Sequence, residues 1–217
     1  TSNIRSLINL KGYPCQPPKA QYGLIRRQIL KNGNDGLQAM GYNDGHLTLS
    51  ADTTGPCATV TLDVRTGPPV ILVSADIRLQ GEAADDPAFQ KLANDHQLNI
   101  GKRLQHDRYT RLKRSLQQNL INRGYMEGSL SHHQLSVDTV KREATIALVV
   151  DSGPRYHFGK VDVSGSDLDP ELVNAYIQFE EGQPYDSKRV LETQQAYLGA
   201  GYFSAARIQK GNVDPAT

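Results

Sequence analysis

The sequence predicts an α+β fold: three small modules in series, each ordered strand, helix, helix, strand, strand, with two helices packed on a three-stranded mixed sheet. Three observations predict it. A helix-periodic apolar segment closes on Gly-Tyr three times, at Leu37–Tyr42, Leu120–Tyr125 and Tyr197–Tyr202. The intervals between Gly41, Gly124 and Gly201 are roughly 80 residues, the size of a small domain and too long for a solenoid unit. Gly-Pro turns at Gly67-Pro68 and Gly153-Pro154 then lead from one alternating segment into the next. A glycine closing a helix adopts the left-handed conformation of the C′ position, and the aromatic after it folds back on the last turn. The boundaries that follow are 1–69, 70–155 and 156–217.

The first module opens with Thr1-Ser2-Asn3 before Ile4, Leu7, Ile8 and Leu10, an N-capped short helix closed at Gly12. Tyr22, Ile25, Ile29, Gly33, Leu37 and Met40 recur near the 3.6 period and predict a second helix up to Gly41, with Gly33 and Gly36 as a point where it breaks. Leu47 and Leu49, the turn Thr53–Pro56, then Val60, Leu62 and Val64 read as a hairpin. In the second module Ala75, Ile77 and Leu79 alternate as a strand, Asp86-Pro87 caps and starts a helix, and Asp107 caps a helix striped by Tyr109, Leu112, Leu116 and Leu120. Leu130 to Val137 and Ile146 to Val150 form its hairpin. The third module repeats the order: a strand through Val161 and Val163, a helix from Asp169-Pro170, a second helix capped by Asp186 through Val190, Gln194 and Tyr197, and a strand starting at Phe203. By this alignment the first module lacks its opening strand and the third its last. The short proline-bearing joints predict limited swing between neighbours.

Composition narrows the function. With 38% hydrophobic and 22% charged residues and a formal charge of +1, the 217-residue chain has the balance of an ordinary soluble protein and no bias toward nucleic acid or an anionic membrane. The absence of Trp argues further against a nucleic-acid-binding sheet. No apolar run approaches the eighteen or so residues of a membrane helix. Cys15 and Cys57 permit one bridge or two free thiols, and lack metal or Cys-x-x-Cys spacing.

No catalytic, cofactor or metal constellation emerges. Ser131, His132 and His133 have no third partner in sequence and read as exposed polar positions. Asp85-Asp86 and Asp167 to Asp169 precede prolines at helix starts, so capping explains them better than paired-carboxylate chemistry. Arg108, Arg111, Lys113 and Arg114, with Lys102 and Arg103, read as a solvated basic face. The chemistry that remains is that of sheet edges, whose unpaired backbone groups accept an extended segment of another chain.

The module order, the Gly-Tyr helix ends and the joint Asp151-Ser-Gly-Pro-Arg-Tyr-His-Phe-Gly-Lys-Val-Asp-Val-Ser-Gly165 resemble the polypeptide-transport-associated (POTRA) domain, over essentially the whole chain. The Glu181-Gly-Gln-Pro-Tyr-Asp186 turn and the Leu198-Gly-Ala-Gly-Tyr-Phe203 helix end add to it. The resemblance implies a non-enzymatic periplasmic array ahead of an outer-membrane β-barrel. It would handle unfolded outer-membrane or autotransporter clients together with an inner-membrane-anchored partner protein. It makes the strand after each second helix the expected edge, His46–Ser50, Ser129–Val137 and Phe203–Gln209, with Leu47, Thr48, Leu49, Leu135, Ser136 and Val137 as the partner-binding positions. The oxidising compartment it implies favours a Cys15–Cys57 bridge, and the module topology brings the two loops that carry them to one end.

Overall fold

The computed structural model describes residues 14–165, 168–202, 205–209 and 211. Its elements are α1 (Lys19–Ala39), β1 (His46–Asp52), β2 (Thr59–Arg65), β3 (Ile71–Gln80), a 3-10 turn (Glu82–Asp85), α2 (Pro87–Asn94), α3 (His106–Asn122), β4 (Ser129–Asp138), β5 (Glu143–Asp151), α4 (Pro170–Asn174) and α5 (Ser187–Gly199). The α+β class follows from this order. Strands β1 and β2 pair antiparallel, Leu47 opposite Val64 and Leu49 opposite Leu62. The second sheet runs β3-β5-β4. Ile71 N–H donates to Arg142 at one end of the β3–β5 pair and Ser152 N–H to Gln80 at the other, so those strands run parallel while the β4–β5 hairpin is antiparallel. The sheet is therefore mixed.

Helix starts are set by side chains that accept orphan backbone N–H groups. Asp86 accepts from Ala88, Asp169 from Glu171 and Asp186 from Lys188, with Pro87 and Pro170 at first helical positions where a missing N–H costs nothing. The stripe Tyr109, Leu112, Leu116 and Leu120 on α3 is buried, each leucine contributing about 2 kcal/mol of apolar burial.

The chain divides into two compact units. One comprises Thr1–Asp76, Gln97–Arg111 and Gln134–Ala147; the other comprises Ile77–His96, Leu112–His133 and Leu148–Thr217. In the first, Leu37 and Leu47 form a small core lined by Leu30, Met40, Tyr42, Leu62 and Val64. A disulfide joins Cys15 to Cys57, whose Cα atoms are 4.7 Å apart, and Ala58 N–H donates to Cys15 beside it. In the second, Phe89 meets Tyr125 edge to face at 5.5 Å, and Phe158 stacks on Phe179 at 3.9 Å.

Three sequence expectations change. Helix α1 does not break at Gly33 or Gly36; both are buried in an unbroken helix. Asp107 sits inside the first turn of α3 and pairs with Arg111 at 2.8 Å, so its charge meets the helix dipole from within the helix. Val161 and Val163 are half exposed and carry no ladder among the described residues, since alternation makes a strand only with a backbone to pair with. The opening helix over 1–12 and the start of the strand at Phe203 lie outside the described residues, and 205–209 carry no ladder among the described residues.

Candidate functional site: the Gly-Tyr joints and the sheet edge

The Gly-Tyr signature does more than stop helices. At the end of α1, Tyr42 N–H bonds back to Leu37 and Gly41 has φ +81°; at the end of α3, Tyr125 N–H bonds back to Leu120 and Gly124 has φ +86°. Both turns hold the glycine carbonyl outward, where the next stretch of chain takes it. Val70 N–H donates to Gly41 over 2.7 Å, and Tyr156 N–H donates to Gly124 over 2.8 Å. From there the two joints continue bond for bond. Leu104 N–H meets the Val70 carbonyl at 2.9 Å, as Tyr185 N–H meets Tyr156 at 2.9 Å. Leu72 N–H reaches Lys102 at 3.0 Å, as Phe158 N–H reaches Gln183 at 2.8 Å. Gly101 N–H returns to Leu72 at 2.7 Å, as Gly182 N–H returns to Phe158 at 2.7 Å.

An arginine seals each joint. Arg103 donates to the Met40 carbonyl with its guanidinium 5.0 Å from the Tyr42 ring centre. Arg155 donates through Nε to the Arg123 carbonyl at 2.8 Å, 5.7 Å from the Tyr125 ring centre. A cation here answers both the negative end of the helix and the face of the ring. There is no room for a side chain on either glycine: a Cβ would lie 2.6 Å from the Leu104 carbonyl at Gly41 and 2.8 Å from Tyr185 Cβ at Gly124.

The second joint has a buried charge beneath it. Asp86 is 5% exposed; its Oδ1 caps α2, and its Oδ2 accepts from Arg123 Nε at 2.7 Å and from the Tyr125 hydroxyl at 3.1 Å, with Arg155 Nη1 at 3.9 Å. Burial pushes the Asp86 carboxyl up. The Arg123 hydrogen bond, the Ala88 N–H, the Arg123 charge and the Tyr125 hydroxyl outweigh it and hold the group below the usual carboxylate range. Burial, then the Asp86 charge and hydrogen bond, push Tyr125 up to about 12. Ser152, fully buried, accepts from Ala83 N–H at 2.9 Å and closes the same corner. In the sequence Asp86 reads as a helix cap alone. Its other partners lie 37 and 39 residues away, and the signal that separates it from Asp169 is Arg123, where the end of α5 has Ala200.

The predicted partner-binding residues divide. Strand β4 is an edge of its sheet, with Leu135 and Val137 half-buried and Ser136 exposed. Strand β1 pairs with β2 alone among the described residues; Leu47 is buried against Leu37, Thr48 is exposed and Leu49 half-buried. His132 and His133 are exposed on β4, and among the described residues no three His, Cys, Asp or Glu side chains gather as a metal site. The basic face is partly committed inside the molecule: Arg103 to Met40, Arg108 to Gln105 and to the Gln97 carbonyl at 2.7 Å, Arg111 to Asp107. No helix among the described residues is long and apolar enough to cross a membrane.

Among solved structures the chain is similar to BamA POTRA3-5 of Haemophilus influenzae, at 17% identity and a TM-score of 0.47 over 90% of this chain and 77% of that one. It is also similar to POTRA1-3 of the periplasmic domain of Omp85 from Anabaena, at 16% identity and 0.36 over 92% and 77%. A third is the N-terminal domain of Omp85 from Thermosynechococcus elongatus, at 15% and 0.34 over 84% and 76%. Residues 156–215, which include the Tyr156 side of the second joint, both described helices of that region and Gly201-Tyr202, match the family model described as POTRA, surface antigen variable number repeat.

Proposed function

We propose that the chain is the periplasmic POTRA region of a TamA-like member of the Omp85 family, divided as 1–69, 70–155 and 156–217. In this reading it is a non-enzymatic scaffold without a cofactor. Its first module faces a TamB-like inner-membrane-anchored protein, its third is followed by an outer-membrane β-barrel, and its clients are unfolded outer-membrane proteins and autotransporters. The observation that carries the reading is the repeated joint, in which five backbone and guanidinium contacts recur between successive segments that share one element order. The POTRA match over 156–215 supports it from the other end of the chain. A BamA-like or two-partner secretion array would use the same modules, and is told apart by the number of modules and by lipoprotein partners.

Client docking is assigned to the free side of β4, where an added strand gains main-chain hydrogen bonds and tolerates many sequences. Neighbouring residues on an edge strand turn their N–H groups to opposite sides, so of Ser136→Pro and Val137→Pro one spares the β5 ladder and removes an outward donor. A photo-crosslinking residue at Ser136 is expected to capture an unfolded barrel protein, and the proline that leaves the fold intact is expected to abolish capture. Unchanged capture in both proline variants would remove β4 as the docking edge.

A further inference from the structure

The ends of α1 and α3 receive the same chemistry from unrelated residues: a backbone N–H on the glycine carbonyl, and a guanidinium on the preceding carbonyl and over the tyrosine ring. The end of α5 shares their residue order and their left-handed glycine. Ala200-Gly201-Tyr202 stands where Met40-Gly41-Tyr42 and Arg123-Gly124-Tyr125 stand, and Gly201 has φ +76° beside +81° and +86° at the other two. What differs is its surroundings. Gly41 and Gly124 are buried, whereas Gly201 is exposed and Tyr202 is 63% exposed. Among the described residues, a Cβ on Gly201 would meet no atom within 4 Å.

Resting on the reading that a further domain follows residue 217, we propose that the Ala200-Gly201-Tyr202 end of α5 is the seat for the opening segment of that domain. The segment is extended. One of its residues donates N–H to the Gly201 carbonyl, and an arginine brought beside it donates to the Ala200 carbonyl across the face of Tyr202. The ligand class is set by the two seats already filled. A helix C-terminus with outward carbonyls attracts a cation, an exposed tyrosine face prefers a guanidinium, and the left-handed glycine lets a backbone approach where a side chain would block it. The arginine is not tied to one place in the incoming chain, since Arg103 and Arg155 reach their seats from different loops.

Hydroxyl-radical footprinting with mass spectrometry tests this on the longer protein against the 217-residue chain. Tyr202 oxidation is expected to fall about fivefold or more in the longer protein, toward the level of Tyr125, which is 2% exposed. Gly201→Val in the longer protein is expected to restore it, leaving Tyr125 protected. Equal Tyr202 reactivity in both proteins overturns the proposal. So does protection that rises with protein concentration, which marks a second copy, protection that needs added client, or a reading frame with no further domain. Client capture at Ser136, measured on the same samples, separates the two readings: capture lost with Tyr202 protected retires the scaffold and leaves the seat, and the reverse retires the seat alone.

Discussion

Arg123 donates to Asp86 across 2.7 Å, tying the residue that follows α3 to the cap of α2 through a carboxylate that water scarcely reaches. Removing one partner of such a pair leaves the other short of its charge, and here the cap of α2 is lost as well. Asp86→Ala is expected to cost about 3 kcal/mol. Asp86→Asn, which still accepts from Ala88, is expected to cost about half as much. Urea denaturation of the three proteins checks both values.

The same group sets an acid limb. Its native pKa lies below the unfolded value of about 3.9, so its contribution is complete above that pH and is lost as pH falls through the native pKa. Stability of the wild type is expected to drop below about pH 4 more steeply than that of Asp86→Asn. Matching slopes in denaturation at pH 2.5 to 5 would count against the Asp86 network.

At the alkaline end the sign reverses. Tyr125 is pushed up to about 12 from an ordinary value near 10, so its contribution is complete below pH 10 and disappears as pH rises through 12. Ultraviolet titration is expected to show a late-ionising tyrosine that Tyr125→Phe removes. Loss of stability between pH 10 and 12 should be shallower in that variant.

The two helix-ending glycines give a matched comparison. Gly124→Ala meets both a left-handed backbone and a contact at 2.8 Å, and is expected to cost about 3 kcal/mol. Gly201→Ala in the 217-residue chain meets the backbone cost alone, about 1 kcal/mol. Equal losses would mean that the joint adds nothing to the turn.

The Cys15–Cys57 bridge spans 42 residues, and by chain entropy its loss is expected to cost about 4 kcal/mol. Non-reducing mass spectrometry should find two hydrogens fewer than the reduced chain. A dithiothreitol-treated sample should melt lower, with the change confined to signals from residues 14–65.

Local physics made most elements legible. Asp86-Pro87, Asp169-Pro170 and Asp186 start helices where their side chains can reach an orphan N–H two residues on, and alternation at Leu47 and Leu49, Val60 to Val64, Leu135 and Val137, and Ile146 to Val150 gives hairpins. Gly33 and Gly36 misled because propensity counts a glycine as a weakness, while tertiary context overrides it in a helix buried on that face. Val161 and Val163 misled because alternation describes a side chain's two faces and is silent about the partner backbone. The joints were visible as Gly-Pro and Gly-Tyr marks, but their closure was not. It depends on Arg103 and Arg155 meeting rings 61 and 30 positions away, and spacing alone does not pair them.

The two arginines have changed places with two prolines. Pro69 precedes Val70 where Arg155 precedes Tyr156, and Arg103 precedes Leu104 where Pro184 precedes Tyr185. Position by position these score as two mismatches, although each hinge owns the same pair of residues in swapped order. Relatedness among such hinges is therefore better sought by asking whether a neighbourhood contains the pair than by asking which column holds it, and chains judged distant by aligned identity can share an articulation intact.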